Sequence, residues 1–430
     1  MKLKVLLILI TMGLANSAWA ATYYVSTSGN DLNNGSSAAT AWRNPQKCVE
    51  PGSPLVAGDI CEIGDGTYTS SAVKGRVMAI TSSSPQGTAG SPITIRAANP
   101  FGATLEAPDT FPGVNCNTTA CPYAGIYISG SKYYVIEGLQ FTRPGSSYAD
   151  LGSSAGITMF SVTNITVRNN HFHDIGRNVC HEGLKGQSGV FGGQTKNLLF
   201  ENNILNKIGR LRNGENGCVT TKFQHDHGIY LDESDNAMIR NNIFYDVNRG
   251  VPINIKAYSG VTSRLKIFNN TISGKSPTGS PKGQIAITNR ATDIQIKNNI
   301  FNDPPDYVFW WYITSVVNNL VIENNLSNST AATLINPYLQ PSSGIIYTNN
   351  TLNTDPLLWD PANGDFGLKL LSPAIDAGTT LSEVTQDFTG AARPNGPAYD
   401  IGAFEGSGSQ PNPTPGGGGT GGGTGTPCCQ

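Results

Sequence analysis

Charge is scarce in this 430-residue chain. Asp, Glu, Lys and Arg make up 13% of it, 28 basic against 30 acidic residues, for a net charge of −2. A balance so near zero offers no basic face to a nucleic acid and no polybasic stretch to an anionic membrane. Long apolar runs are absent after the first twenty residues, which excludes a spanning helix later in the chain. Helical periodicity is absent too, since apolar residues recur at every second position. The eight Cys contain no paired C-x-x-C spacing, which argues against the common zinc modules. Histidine is scarce: His171, His173, His181, His225 and His227 are the full set.

Asn, Ser, Thr and Gly supply the polar content instead, as in a folded extracellular protein of strands and turns. The start, MKLKVLLILITMGLANSAWA, has two Lys, an apolar stretch and small residues ending in Ala18-Trp19-Ala20. It reads as a signal peptide over 1–20, with a mature start at Ala21. The expected location is outside the cytoplasm (extracellular, cell surface or periplasm), where disulfides form. Proximity suggests Cys48–Cys61, Cys116–Cys121 and Cys180–Cys218, although spacing alone does not fix connectivity.

One element recurs: an alternating apolar run, Asn-Asn, then another apolar residue. Copies are ITVRNNHFHD (165–174), LLFENNILNK (198–207), MIRNNIFYD (238–246), LKIFNNTIS (265–273), IQIKNNIFND (294–303), LVIENNLSN (320–328) and IIYTNNTLN (345–353). YVIEGLQFT (134–142) is a variant with Gly-Leu in the Asn-Asn slots. A period of two and irregular spacing predict a solenoid that keeps its strands and varies its loops. Each unit is too small to bury its apolar side alone, and Asn in register can form a ladder along the stack. The predicted fold is all-β: a single-stranded right-handed parallel β-helix of about eight to ten coils, with a C-terminal closing segment. The division is 21–355 for the β-helix, 356–405 for the closing segment and 406–430 for a Gly/Pro-rich flexible tail ending in Cys428-Cys429.

A second strand precedes each Asn-Asn element. GIYISGSKYYVIEGLQF (125–141), GITMFSVTNITVRNNHF (156–172), GVFGGQTKNLLFENNIL (189–205) and GIYLDESDNAMIRNNIF (228–244) align without gaps. Ile229 and Leu231 then stack on Val190, Ile157 and Met159 as core, while Tyr230 points out beside Phe191, Thr158 and Tyr127.

With these repeats the chain resembles the pectate-lyase-like right-handed β-helix superfamily. ATYYVSTSGNDLNNGSSAATAW and GDICEIGDGTY are similar to the N-terminal region of secreted bacterial β-helix proteins. LKLLSPAIDAGTT…DFTGAARPNGPAYDIGAFE is similar to their closing segments. The resemblance implies fold strongly and activity weakly, because the architecture hosts lyases, hydrolases, epimerases and binding proteins.

Candidate chemistry gathers around HDHGIYLDES (225–234). Outward positions of one strand column form a cleft walled by the longest loops, 176–188 and 209–225. Those loops hold His181, Glu182, Lys185, Arg210, Arg212, Glu215 and Lys222, and a Cys180–Cys218 bridge would pin them together. With Tyr230 outward, strict alternation turns Asp226 and Asp232 outward and His227 inward, although Gly228 can break the alternation. Aligning IYLDES with INIKAY sets Asn254 beside Tyr230 and Lys256 beside Asp232, close enough at a strand spacing of about 4.8 Å to touch. β-Elimination in an acidic polysaccharide needs a base for the C5 proton and a cation to neutralise the carboxylate. Lys256, crowded by Arg249, is the expected base; His225 and His227 are alternatives, since imidazole titrates near neutrality. Asp226 and Asp232 are candidate Ca²⁺ ligands. Tyr230, Phe191 and Tyr127 offer apolar ring faces to sugars, with Asn254, Lys222 and Arg212 as polar contacts. His171 and His173 read as surface residues.

The function this favours is a secreted, monomeric lyase acting on a uronate polysaccharide, with neither nucleic acid nor a membrane span involved. A uronate C5-epimerase shares the proton abstraction. A glycoside hydrolase is less favoured, since neither a Gly-His-Gly motif nor an Asp-Asp pair is present. A non-catalytic cell-surface glycan-binding protein is the rival outside enzymes, and the Gly-rich tail fits a tether.

Overall fold

The computed structural model describes residues 20–69, 75–107, 123–143, 154–180, 186–221, 225–274, 283–305, 307–312, 315–330 and 343–406. Among them, parallel sheets of twelve, eight and nine strands carry the stack, and one coil supplies a strand to each in turn. The chain is a right-handed parallel β-helix, as the repeats predict. The eight-stranded sheet holds the site, and its strands are numbered here in chain order. They are β1 (Arg76–Ile80), β2 (Tyr123–Ser129), β3 (Ser154–Phe160), β4 (Gln187–Gly193), β5 (His227–Asp232), β6 (Ile253–Lys256), β7 (Ile285–Thr288) and β8 (Phe309–Trp311).

The Asn-Asn pair does two jobs. The first Asn of each copy has a left-handed backbone, with φ between 51° and 55° from Asn169 to Asn349, a conformation Asn tolerates better than most residues. In the variant copy Gly138 occupies that slot at φ 72°. The second Asn turns inward. Asn170, Asn203, Asn242, Asn270 and Asn299 are fully buried, and each side-chain oxygen accepts the backbone N–H of the preceding coil's residue at 2.9–3.0 Å. Burying an amide costs little when every polar atom is paired, and here the pairing repeats coil by coil.

The register joining β4, β5 and β6 sets Phe191 against Tyr230 and Tyr230 against Asn254, then Asp232 against Lys256. Ile229 and Leu231 are fully buried, as the repeat alignment predicts. The parity breaks at Gly228. A Cβ there would lie 2.5 Å from the Pro252 carbonyl and 3.0 Å from the Phe244 ring, so Gly228 also faces the core. Gly125, Gly156 and Gly189 sit in the same column against Phe141, Phe172 and Leu205. Two consecutive inward residues, Gly228 and Ile229, reverse the alternation upstream: His227 shares Tyr230's side and Asp226 turns in.

Residues 357–406 fold back along the side of the stack. Leu358–Asp360 and Asp365–Leu368 form an antiparallel pair, and Leu358, Phe366, Leu368, Ile401 and Phe404 pack on Ile243, Ile300 and Leu326. First-slot Asn side chains dock this segment: Asn241 donates to the Gln386 carbonyl at 2.7 Å and Asn298 to the Thr379 carbonyl at 2.8 Å. Disulfides Cys48–Cys61 and Cys180–Cys218 are formed. Cys116–Cys121, Cys428-Cys429 and residues 1–19 lie outside the described residues. Among those described, no helix is long and apolar enough to cross a membrane.

Candidate functional site

The outward faces of β5 to β8 enclose a cavity of about 330 Å³. His225, His227 and Tyr230 line it from β5 and its approach, Asn254, Lys256 and Tyr258 from β6 and the turn after it. Ala286, Thr288 and Asn289 come from β7 and its end, Trp310 and Tyr312 from β8 and its end. Among the described residues, no Asp or Glu lines it.

His227 is 6% exposed and its pKa is pushed down to about 3, chiefly by burial; Asp226 opposes this and His225 reinforces it. The ring is therefore neutral near pH 7. The Val251 N–H donates to its Nδ1 at 3.3 Å, so the ring hydrogen is on Nε2. Strict alternation would hide this ring, but the Gly228 reversal brings it to the cavity, with its centroid 5.4 Å from that of Tyr230. His225 stands at the mouth, exposed, with φ 86°. Surrounding protein lowers its pKa; Asp226 opposes the shift, and Arg210, Lys256 and Arg249 add to it. Burial raises the Tyr230 phenol.

Lys256 reaches the cavity with no ion-pair partner among the described residues, and its Nζ lies 5.3 Å from the Tyr258 ring centroid. The expected Lys256–Asp232 contact is in register but is not a salt bridge. Asp232 accepts the Tyr258 N–H at 3.0 Å, and burial raises its pKa against the pull of that bond and of Lys256.

Several expected site residues lie elsewhere. Asp226 does not face outward: it is fully buried, pairs with Arg210 at 3.0 Å and accepts the backbone N–H groups of Gln187 and Arg210 at 2.9 Å. The reversed parity at Gly228 is the cause, and it removes Asp226 as a metal ligand. Arg249 is 1% exposed and is not among the cavity-lining residues, although its charge acts on His225. Arg212 is held by Asn248 at 2.6 Å and Asp246 at 3.6 Å, away from the cavity, and Glu215 pairs with Arg177. Phe191 and Tyr127 do not line the cavity. Phe191 stacks on Tyr230 (centroids 5.1 Å apart, 16° between planes), and the Arg76 guanidinium covers Tyr127 at 3.6 Å, so ring faces expected for sugars are turned to protein. His171 and His173 are half-buried and hydrogen-bonded to Asn206 and Gln140. Lys222, His181, Glu182 and Lys185 lie outside the described residues.

Ca²⁺ takes about six to eight oxygen ligands, several of them carboxylates. With Asp226 sealed on Arg210, Asp232 is alone, and no group of three His, Cys, Asp or Glu able to hold a metal occurs among the described residues. The donor set found here does not fit the ion.

Tyr258, Trp310 and Tyr312 escape the sequence reading because the column was followed only as far as Lys256. Extending it through IAIT (285–288) to FWW (309–311) reaches Trp310, opposite Ala286 in the register found, while Tyr258 and Tyr312 follow in the turns after their strands.

The family model described as right handed beta helix region matches residues 109–301. No curated protein matches the sequence. Among solved structures, pectate lyase Pel9A is 16% identical with a TM-score of 0.52, the match covering 90% of this chain and 97% of that one. A rhamnogalacturonan lyase is 13% identical (TM-score 0.39, 90% and 96% covered). PfbA, a surface adhesin of Streptococcus pneumoniae, is also 13% identical (TM-score 0.39, 69% and 72% covered). At such identities the likeness is one of fold. The sheet topology, the repeat, the family model and the likeness to Pel9A agree on the fold, a right-handed parallel β-helix.

Proposed function

We propose that the protein is a polysaccharide lyase that cleaves a uronate-containing polymer by β-elimination at this cavity. One observation supports the reading: among the described residues, Lys256 lines the cavity without an ion-pair partner, and no carboxylate lines it. Glycoside hydrolysis ordinarily needs two carboxyl groups flanking the scissile bond, which this lining does not provide. An amine that is not tied up in a salt bridge suits a substrate that brings its own negative charge. Lys256 takes the C5 proton. The electron pair left behind forms the C4–C5 double bond, and the bond from C4 to the bridging oxygen breaks. That oxygen takes a proton from solvent at the mouth, where His225 and Tyr258 are exposed. His227, neutral and held through Nδ1, positions its neighbours instead of exchanging protons.

The test is to incubate the protein with pectate, alginate, glucuronan and glycosaminoglycans and follow ultraviolet absorbance of unsaturated products. The expected result is product from at least one polymer, lost in Lys256→Ala. Absence of unsaturated product from every polymer would sink the elimination reading. Retained activity in Lys256→Ala would move the base to another group.

A further inference from the structure

Asn254 has one polar atom that the fold leaves unused. The residue is 6% exposed and lines the cavity two positions before Lys256, on the same side of β6. As placed, its Nδ2 is 3.2 Å from His227 Nε2, and its Oδ1 is buried without a partner. Two donors cannot share that contact. The Val251 N–H on Nδ1 puts the ring hydrogen on Nε2, so Nε2 needs an acceptor. A half-turn of the amide, whose oxygen and nitrogen have the same shape, supplies one. Oδ1 then accepts from His227, and the NH₂ takes the buried position in which Oδ1 had no partner. Leaving such a donor unmade costs free energy, so it marks a place where a ligand oxygen is wanted.

We propose that the Asn254 amide is the neutral donor that binds the uronate carboxylate and stabilises the charge developing on it as the C5 proton leaves, without a calcium ion. This rests on the elimination reading for its chemistry but not for its binding claim. Removing a proton next to a carboxylate puts extra charge on the carboxylate oxygens, and a preorganised donor in a buried site answers that charge. The chain Val251, His227, Asn254 fixes which amide atom faces the substrate: a backbone N–H sets the tautomer, and the tautomer sets the amide. Every link is uncharged, so the substrate carboxylate meets donors but no repelling group. Lys256, beside it, stays available as base.

The test uses Asn254→Asp, which keeps the size and the acceptor for His227 but replaces the donor with an oxygen. Pectate, alginate and glucuronan oligomers, each with a carboxyl-reduced counterpart, are titrated calorimetrically into wild type and variant. Turnover is measured with and without EDTA. Expected are binding of an acidic oligomer at least tenfold tighter than its reduced counterpart, and loss of that preference in Asn254→Asp. The turnover of Asn254→Asp is expected to fall about 10²–10³-fold, the usual cost of one such donor, and wild-type turnover should be indifferent to EDTA. If no polymer yields unsaturated product but the carboxylate preference exists and disappears in Asn254→Asp, the site stands and the elimination reading falls. If elimination occurs and Asn254→Asp keeps its rate, or EDTA abolishes wild-type turnover and Ca²⁺ restores it, this proposal falls and elimination stands. Binding of none of the acidic oligomers would overturn it as well.

Discussion

The two halves of the site sheet share a scaffold and differ in what they face outward. On β2 to β4 the outward residues are Tyr127, Thr158, Phe160, Phe191 and Gly193, uncharged and packed on one another, with ring centroids 6.1, 5.2 and 5.1 Å apart from Tyr127 to Tyr230. On β5 to β8 the same columns carry Asp232, Asn254, Lys256, Thr288 and Trp310, and a cavity opens among them. Inward positions barely change across this divide: Ile157, Val190, Ile229, Ile253 and Ile285 are all fully buried. The inward columns set the fold, and chemistry can be written on the outward columns without disturbing it.

That comparison can be broken in order of expected effect. Lys256→Ala is expected to lower turnover by about 10²–10⁴-fold, the usual contribution of general base catalysis, with little change in melting temperature. Steady-state kinetics beside a melting curve will tell a lost base from a lost fold. Asp226→Ala is expected to destabilise by about 3–5 kcal/mol, because it strands the buried Arg210 charge. Denaturant unfolding measures this, and a change below about 1 kcal/mol would place the pair in the range of exposed ones. Phe191→Ala, in the uncharged half, is expected to cost about 1–2 kcal/mol of stability through lost aromatic contact while leaving turnover within a factor of about three, the scatter usual for single contributions.

A further expectation concerns pH. His227 has a depressed folded pKa, near 3 against 6.5. Between those values the unfolded chain binds a proton that the folded chain refuses, so the contribution is complete above 6.5 and lost as pH falls toward 3. Asp400 works the other way. Burial raises its folded pKa to about 6, so its protonated form favours folding at low pH and that gain is lost as pH rises from 3.8 through 6. His171, depressed to about 4 chiefly by burial, adds to the acid sensitivity. Subtracting the stability profile of His227→Gln from that of wild type isolates the first group, and the difference should shrink on acidification below pH 6.5. A flat difference would contradict the buried, neutral imidazole.

The fold was legible because its signals are periodic. Asn-Asn recurs wherever a left-handed residue and an inward ladder residue must follow each other, and Gly138-Leu139 keeps the first role without the second. The register from Tyr230 to Lys256 followed from aligning strands. The site was less legible because it depends on single departures from period. Gly228 exchanges the orientations of Asp226 and His227, and its reason, the Phe244 ring, lies sixteen residues downstream in another sheet. Arg210 reaches Asp226 from a loop whose path no local pattern states. Ring faces were expected to be free because alternation says which side a residue takes, not which neighbour covers it.

The account stands most directly on the chemistry of the cut. Mass spectrometry of wild-type products from whichever acidic polymer is cleaved should find every new non-reducing end short by the elements of one water, as elimination requires. Saturated fragments carrying that water would mean hydrolysis, and would contradict a mechanism built on Lys256 in a cavity without carboxylates.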